Sequence, residues 1–260
     1  MPDFDTSVPH IARVYDYWLG GKDNFAADRE LGEQTLQAYP NLVFSVRANR
    51  AFLARTVRFL AGEMGIRQFL DIGTGIPTAD NTHEVAQRIA PASRIVYVDN
   101  DPIVLSHAQA LLKSSPQGAC AYIDADLRDP DTILAAAADT LDFGQPVAVM
   151  LIAVMHFVGD DAQASAIISR LMGACAPGSF VVISHAAGDI DAEQQTEMVR
   201  RLNQSVAEKA TLRDQAGITR LFDGLELVEP GVVRVSDWRP DSDLEAARPT
   251  GLRGGVARKL

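Results

Sequence analysis

The sequence predicts an α/β protein with an open, mostly parallel sheet, a ligand site at the edge of that sheet and a helical cap in front of it. Three observations carry this expectation. From Gln68 onward, short apolar runs alternate with amphipathic helical segments, the pattern of successive βαβ units. The stretch Phe69-Leu-Asp-Ile-Gly-Thr-Gly-Ile-Pro-Thr-Ala-Asp-Asn81 reads as buried strand, glycine turn and helix start in immediate succession. Before residue 68 the pattern is helical only, so residues 1–65 are expected to cap a domain formed by residues 66–260.

Size and composition bound the function. With 260 residues, 47% of them apolar, the chain can bury a large core. A net charge of −10 and the lack of a dense Lys/Arg run argue against a nucleic-acid partner. Cys120 and Cys175 are too few for a disulfide framework or a cysteine-built zinc site. No apolar segment approaches the length of a membrane span, and the start Met1-Pro-Asp-Phe-Asp lacks the look of a secretory leader. A cytoplasmic protein without membrane or metal partners is expected; the sequence leaves its oligomeric state open.

In the cap, Ile11-Ala-Arg-Val-Tyr-Asp-Tyr-Trp-Leu19 is a short amphipathic helix stopped by Gly20-Gly21. Asp23 is the expected cap of a second helix that Pro40 ends. A third helix, from about residue 45 to 61, puts Phe52, Leu53, Val57 and Leu60 on one side and Arg47, Arg50, Arg55 and Arg58 on others. Two readings stand for the aromatic segment around Tyr15, Tyr17 and Lys22: hydrophobic anchoring, or a lid that closes over a ligand. Arg47, Asn49 and Arg50 likewise read either as a solvated face or as a carboxylate-binding group.

In the domain, Phe69, Leu70 and Ile72 suit a strand covered on both faces, and Asn81 with Glu84 forms a capping box for the next helix. Arg94-Ile-Val-Tyr-Val-Asp99 is the second strand. Its terminal Asp99 follows the glycine turn by roughly the 20-residue interval of a carboxylate that binds ribose hydroxyls. Asn100 and Asp101-Pro102 start a helix whose buried stripe is Val104, Ala108, Leu111 and Leu112. The third strand runs to Asp124 and leads into Asp126-Leu127, while Asp129-Pro130 caps the helix that follows. Pro146 to Val154 is an apolar fourth strand with His156 just past its carboxyl end, and Phe180-Val-Val-Ile-Ser184 a fifth with His185 at its exit. His156 reads as a candidate general base or as a structural or cofactor-shelf residue, and His185 as a second candidate base or a loop residue. Asp160 and Asp161 cap a helix and lack the partner cluster a metal would need. A polar helical insert spans about residues 190–212, and the stretches 225–235 and 255–258 supply the last two strands of an expected seven.

Two cofactor classes use such a glycine turn. A dinucleotide fingerprint wants a third glycine where Thr78 stands. S-adenosylmethionine carries a sulfonium cation and no pyrophosphate, so the carboxylate of Asp71 beside the turn favours it. The run Leu70-Asp-Ile-Gly-Thr-Gly75 resembles motif I of the class I S-adenosylmethionine-dependent methyltransferases, with Pro77 in place of that motif's last glycine. Together with Arg13-Val-Tyr-Asp-Tyr-Trp-Leu-Gly-Gly-Lys-Asp-Asn24 and Val96-Tyr-Val-Asp-Asn-Asp-Pro102, it is similar to an actinobacterial family of S-adenosyl methyltransferases, formerly a domain of unknown function. The resemblance implies a Rossmann-like class I methyltransferase fold ending in an antiparallel strand pair. It also implies Asp71, Gly73, Thr74 and Gly75 around the methionine portion, Asp99 and Asn100 at the ribose, and Asp126 with Leu127 at the adenine, Asp124 being the next choice. Methyl transfer to a small-molecule acceptor is the expected activity. The alternatives are a non-catalytic cofactor sensor, an NAD-dependent oxidoreductase and, least favoured by the acidic charge, a nucleic-acid methyltransferase.

Overall fold

The computed structural model describes residues 5–111, 113–247 and 249–260. Three helices come first: α1 (Ile11–Leu19), α2 (Ala26–Ala38) and α3 (Leu42–Arg58), the last running on into a π-helical turn at Phe59–Glu63. Alternation follows with β1 (Gln68–Ile72), α4 (Thr82–Ile89), β2 (Arg94–Asp99), α5 (Pro102–Leu111), β3 (Ala119–Asp124), α6 (Pro130–Ala137), β4 (Ala148–Ile152), α7 (Asp161–Ala174) and β5 (Phe180–Ala186). The remainder is α8 (Ala192–Ser205), α9 (Gln215–Arg220), β6 (Glu226–Leu227), β7 (Val233–Arg234), α10 (Asp243–Ala246) and β8 (Leu252–Arg258).

The sheet order is β3-β2-β1-β4-β5-β8-β6, with β7 also on β8. The first five strands are parallel; β8 is antiparallel to β5, β6 and β7. Eight strands among the described residues thus stand where seven are expected. The stretch from 225 to 235 does not form one strand, because Pro230 lacks a ladder N–H and Gly231 turns at φ +83°, so its two ends pair separately with β8.

Alternate residues of β1 enter opposite cores, as the period-2 geometry of a strand requires. Leu70 and Ile72 pack with α6, α7 and α9, whereas Phe69 joins Phe52, Val57, Tyr97 and Trp238 beneath α3 and α4. A third core belongs to the cap, where Val14 and Trp18 of α1, Leu31 of α2 and Val46 of α3 meet Met198 and Leu202 of α8. The insert therefore packs on the N-terminal helices.

Local expectations fare unevenly. The Asn81–Glu84 box is present, with the Asn81 N–H donating to Glu84 Oε2 at 2.8 Å. Asp101 accepts from the Ile103 N–H, Asp129 from Thr132 and Asp160 from Gln163. Asp23 does not cap α2: that helix starts after Phe25, and Asp28 takes the Phe25 N–H at 2.8 Å. Arg55 is not on a solvated face. It is buried, donates to the Trp238 carbonyl at 2.9 Å and pairs with Glu245. Of the α5 stripe Val104 is buried, while the side chains of Ala108, Leu111 and Leu112, like residues 1–4, lie outside the described set. No helix among the described residues is long and apolar enough to cross a membrane.

Candidate active site

The glycine turn builds the site. Gly73 (φ +74°) and Gly75 (φ +65°) adopt backbone that side chains strain. A Cβ on Gly73 would sit 2.5 Å from Val154 Cγ2, so that glycine admits the loop after β4; above Gly75 the space is open. The turn is tied to β2 by the Gly73 N–H on the Val98 carbonyl at 2.8 Å, and Thr74 Oγ1 donates to the carbonyls of Asp71 and Val98. Thr74 therefore shapes the turn through its hydroxyl.

A cavity of about 140 Å³ opens at the carboxyl ends of β1, β2 and β4. The structure brings to its wall Asp71, Gly73, Thr74, Gly75, Asp99, Asn100, Asp126 and Leu127, and with them Tyr15 and Arg50 of the cap. Asp71 is 4% exposed and accepts from Thr82 Oγ1 at 2.6 Å; burial pushes its carboxyl up to about 6, against the pull of Thr82 and the Arg50 charge. Asp99 accepts the Gly75 N–H at 2.9 Å on one oxygen and the Asp101 N–H at 3.0 Å on the other, and burial raises it too. Two buried carboxyl groups on one wall, neither in an ion pair among the described residues, suit a cationic ligand. Arg50 spends Nη2 on the Ala79 and Asp80 carbonyls at 3.2 Å each, and its Nε is buried without a partner. Asp126 is held by Arg128, whose Nη1 lies 3.0 Å from Oδ2 and whose N–H donates to Oδ1 at 2.8 Å. Asp124 is exposed and away from this wall, so of the two aspartates only Asp126 reaches the cavity.

Other candidates lie elsewhere. Tyr17 is turned onto α2, where its ring abuts Gly32 and its hydroxyl donates to Glu33 at 3.4 Å. Lys22 and Arg47 are exposed and line neither this cavity nor the next; Arg47 sits about 4.5 Å along α3 from Arg50. His185 is fully buried and committed at both nitrogens: Nδ1 lies 2.8 Å from the Ala186 carbonyl, and Nε2 accepts from Arg213 Nη1 at 2.7 Å. Burial, with the Arg213 charge behind it, brings it down to about 4 against the Ala186 carbonyl. His156 lines a second cavity of about 70 Å³, which shares Ile11, Tyr15, Ala153 and Phe157 with the first.

Sequence reasoning missed three features. His10 lines the first cavity with its Nδ1 2.8 Å from Asp101 Oδ2; Asp101 raises its pKa although burial works against it, and no periodic pattern marks a residue just before a helix. Ala153 sits at φ +54° after β4, where only a glycine would have advertised the turn. A relay fixes that turn to the cap: the Ala153 N–H donates to Ser184 Oγ (2.9 Å), Ser184 to Asn49 Oδ1 (2.6 Å), and Asn49 Nδ2 to the Tyr15 hydroxyl (3.0 Å). Asn49 is thus a strut between cap and sheet.

A family model described as S-adenosyl methyltransferase matches residues 1–260. Among solved structures, a DUF574 family protein from Streptomyces avermitilis MA-4680 is 45% identical over 98% of this chain and 99% of that one, with a TM-score of 0.95. A putative methyltransferase from Thermobifida fusca YX is 42% identical over 99% and 97%, with a TM-score of 0.91. An O-methyltransferase family 2 protein from Planctomyces limnophilus, solved with apigenin, is 16% identical over 90% and 67% at a TM-score of 0.51, a likeness of fold alone. No curated protein matches. The sheet order, the glycine turn and these matches over the full length agree: the chain belongs to the S-adenosyl methyltransferase family, with the class I methyltransferase fold and S-adenosylmethionine as methyl donor.

Proposed function

We propose that the protein transfers the methyl group to a small-molecule acceptor, with the donor seated in the cavity between the glycine turn and α1. One observation supports this above others: Asp71 and Asp99, both buried, flank a turn whose Gly75 leaves its ligand side open. In this reading Arg50 takes the donor's carboxylate through its free Nε, and Asp71 faces its positive charge. Asp99 accepts from the ribose hydroxyls, Asn100 completes that end, and Asp126 with Leu127 borders the adenine. Bound there, S-adenosylmethionine supplies an electrophilic methyl on a good leaving group, so the protein's task is alignment and exclusion of water. Tyr15, at the wall of both cavities, closes the junction. Residues 1–65 and the insert at 190–212 act as the lid of the donor-binding domain formed by 66–260. The site of action is the cytoplasm, where the unpaired Cys120 and Cys175 stay reduced.

Isothermal titration of the full chain with S-adenosylhomocysteine tests the donor site. Micromolar binding is expected; none at millimolar ligand overturns the reading. Affinity for S-adenosylmethionine itself should depend on pH. Below about 6 Asp71 is protonated in the free protein, and a cation that favours the carboxylate must displace that proton. Affinity is therefore expected to fall by up to about tenfold per unit as pH drops below about 6. In Asp71→Asn that contribution is gone, and a profile as steep as that of the wild type refutes the assignment.

A further inference from the structure

We infer that the acceptor is an uncharged, flat ring compound carrying a hydroxyl, bound in the second cavity with that hydroxyl against His156. The inference rests on the donor reading above.

The walls of that cavity decide the chemistry. Among the described residues no Asp, Glu, Lys or Arg lines it. A carboxylate, phosphate or ammonium on the acceptor would enter without a counter-charge, at a desolvation cost that neutral molecules escape. Trp18, Tyr39 and Phe157 supply ring faces and edges, and Met198 an adaptable thioether, a lining that favours a ring over a flexible chain.

Most polar groups on these walls are already committed to the protein. The Trp18 N–H donates to Thr35 Oγ1 at 3.1 Å and the Tyr39 hydroxyl to Asp191 at 3.1 Å. Ser45 donates to the Asn41 carbonyl at 3.2 Å, and Gln195 Nε2 to the carbonyls of Ala187 and Gly251 at 2.8 and 2.6 Å. His156 is the exception: its Nδ1 is buried without a partner, and among the described residues its ring makes no hydrogen bond and packs 4.4 Å from Phe157 and 5.6 Å from His185 between centroids. Its backbone is pinned by the Thr211 N–H on its carbonyl at 2.7 Å. A fixed imidazole without a protein partner, one residue from the Phe157 that both cavities share, is placed to accept from a bound hydroxyl.

Burial first, then the neighbouring His185 and the Arg213 charge, keep His156 well below its usual pKa. It is neutral near pH 7 and able to take a proton, though a weak base. A phenolic O–H, with a pKa of about 10, suits such a base far better than an aliphatic alcohol. In the transfer the hydroxyl proton goes to His156 and the oxygen bonds to the methyl carbon. The methyl–sulfur bond breaks with its electron pair left on sulfur, and His156 returns the proton to water.

The test uses the full chain saturated with S-adenosylhomocysteine and titrated with 2-naphthol and phenol, against 6-hydroxy-2-naphthoate and 4-hydroxybenzoate. The neutral compounds are expected to bind at least tenfold tighter than their carboxylates. With S-adenosylmethionine, 2-naphthol should give its methyl ether, and His156→Gln should keep naphthol binding within about threefold while losing at least 90% of turnover at pH 7. Equal or tighter binding of the carboxylates, or no binding of either neutral compound, overturns the inference. So does unchanged turnover in His156→Gln. Failure of the donor reading is distinct, since it appears as no S-adenosylhomocysteine binding before any acceptor is added.

Discussion

Replacing Asp99 with alanine is expected to weaken S-adenosylhomocysteine binding by roughly 100-fold or more, the largest single effect on the donor site. Hydrogen bonds to a charged group contribute about 1.5–3 kcal/mol each, and a ribose diol makes two of them with one carboxylate. The side chain also has a second task. Its oxygens hold the N–H groups of Gly75 and Asp101, so the variant frees the turn as well as removing the ligand's partner. The fold should lose some stability, because the Gly75 and Asp101 N–H groups lose their acceptor, while removal of a charge that burial disfavours offsets part of that cost. A melting temperature lower by roughly 5 °C, far from unfolding, is expected alongside the lost affinity. Asp99→Asn should fall between, since an amide oxygen still accepts but without charge. Binding of Asp99→Ala within threefold of the wild type would remove Asp99 from the site.

That Asp99 could be found in the sequence at all follows from what a βαβ unit makes local. The strand, the Gly73 and Gly75 turn and the Asn81–Glu84 cap lie within 17 residues of one another, and Asp99 is fixed one unit on by the parallel register of β1 with β2. Periodicity likewise revealed the helical cap and the alternating sheet. What stayed hidden depends on contacts between distant segments. Arg55 looks like a solvated helix residue until the Trp238 carbonyl, brought by the C-terminal segment, arrives beside it. His185 looks like a base at a strand exit until Arg213, 28 residues later, takes its free nitrogen. Tyr15 and Tyr17 are indistinguishable in sequence, yet helix geometry sends one to the cavity and the other onto Gly32. The division of the expected sixth strand at Pro230 is written in the chain, as a residue that cannot serve a ladder.

Arg213 was not singled out by any sequence signal, and its replacement by methionine is expected to carry the largest cost in stability. Arg213 is 5% exposed, and its guanidinium donates to His185 Nε2 at 2.7 Å, the Val158 carbonyl at 2.8 Å and Asp161 at 2.8 Å. Methionine fills much of the volume but leaves a buried imidazole nitrogen and a buried carbonyl without donors, at about 1–3 kcal/mol each. A loss of about 3 kcal/mol, or a melting temperature lower by roughly 10 °C, is expected near pH 7. The loss should shrink in acid. In the wild type His185 is held neutral down to about 4, whereas the unfolded chain protonates it near 6.5, so this group's contribution is full above 6.5 and is lost as pH falls toward 4. Asp71 has the opposite slope, because its raised carboxyl keeps a proton in the fold that the unfolded chain releases, and its contribution falls as pH rises from about 4 to 6. Comparing variant with wild type at each pH cancels Asp71 and leaves His185. Without the arginine charge His185 protonates more readily in the folded state, so the variant gives up less in acid. Denaturant unfolding should show a smaller gap between the two proteins at pH 5 than at pH 7. An equal gap at both would mean that Arg213 does not set the charge state of His185, and an unchanged midpoint at pH 7 would mean that the three contacts contribute nothing to the fold.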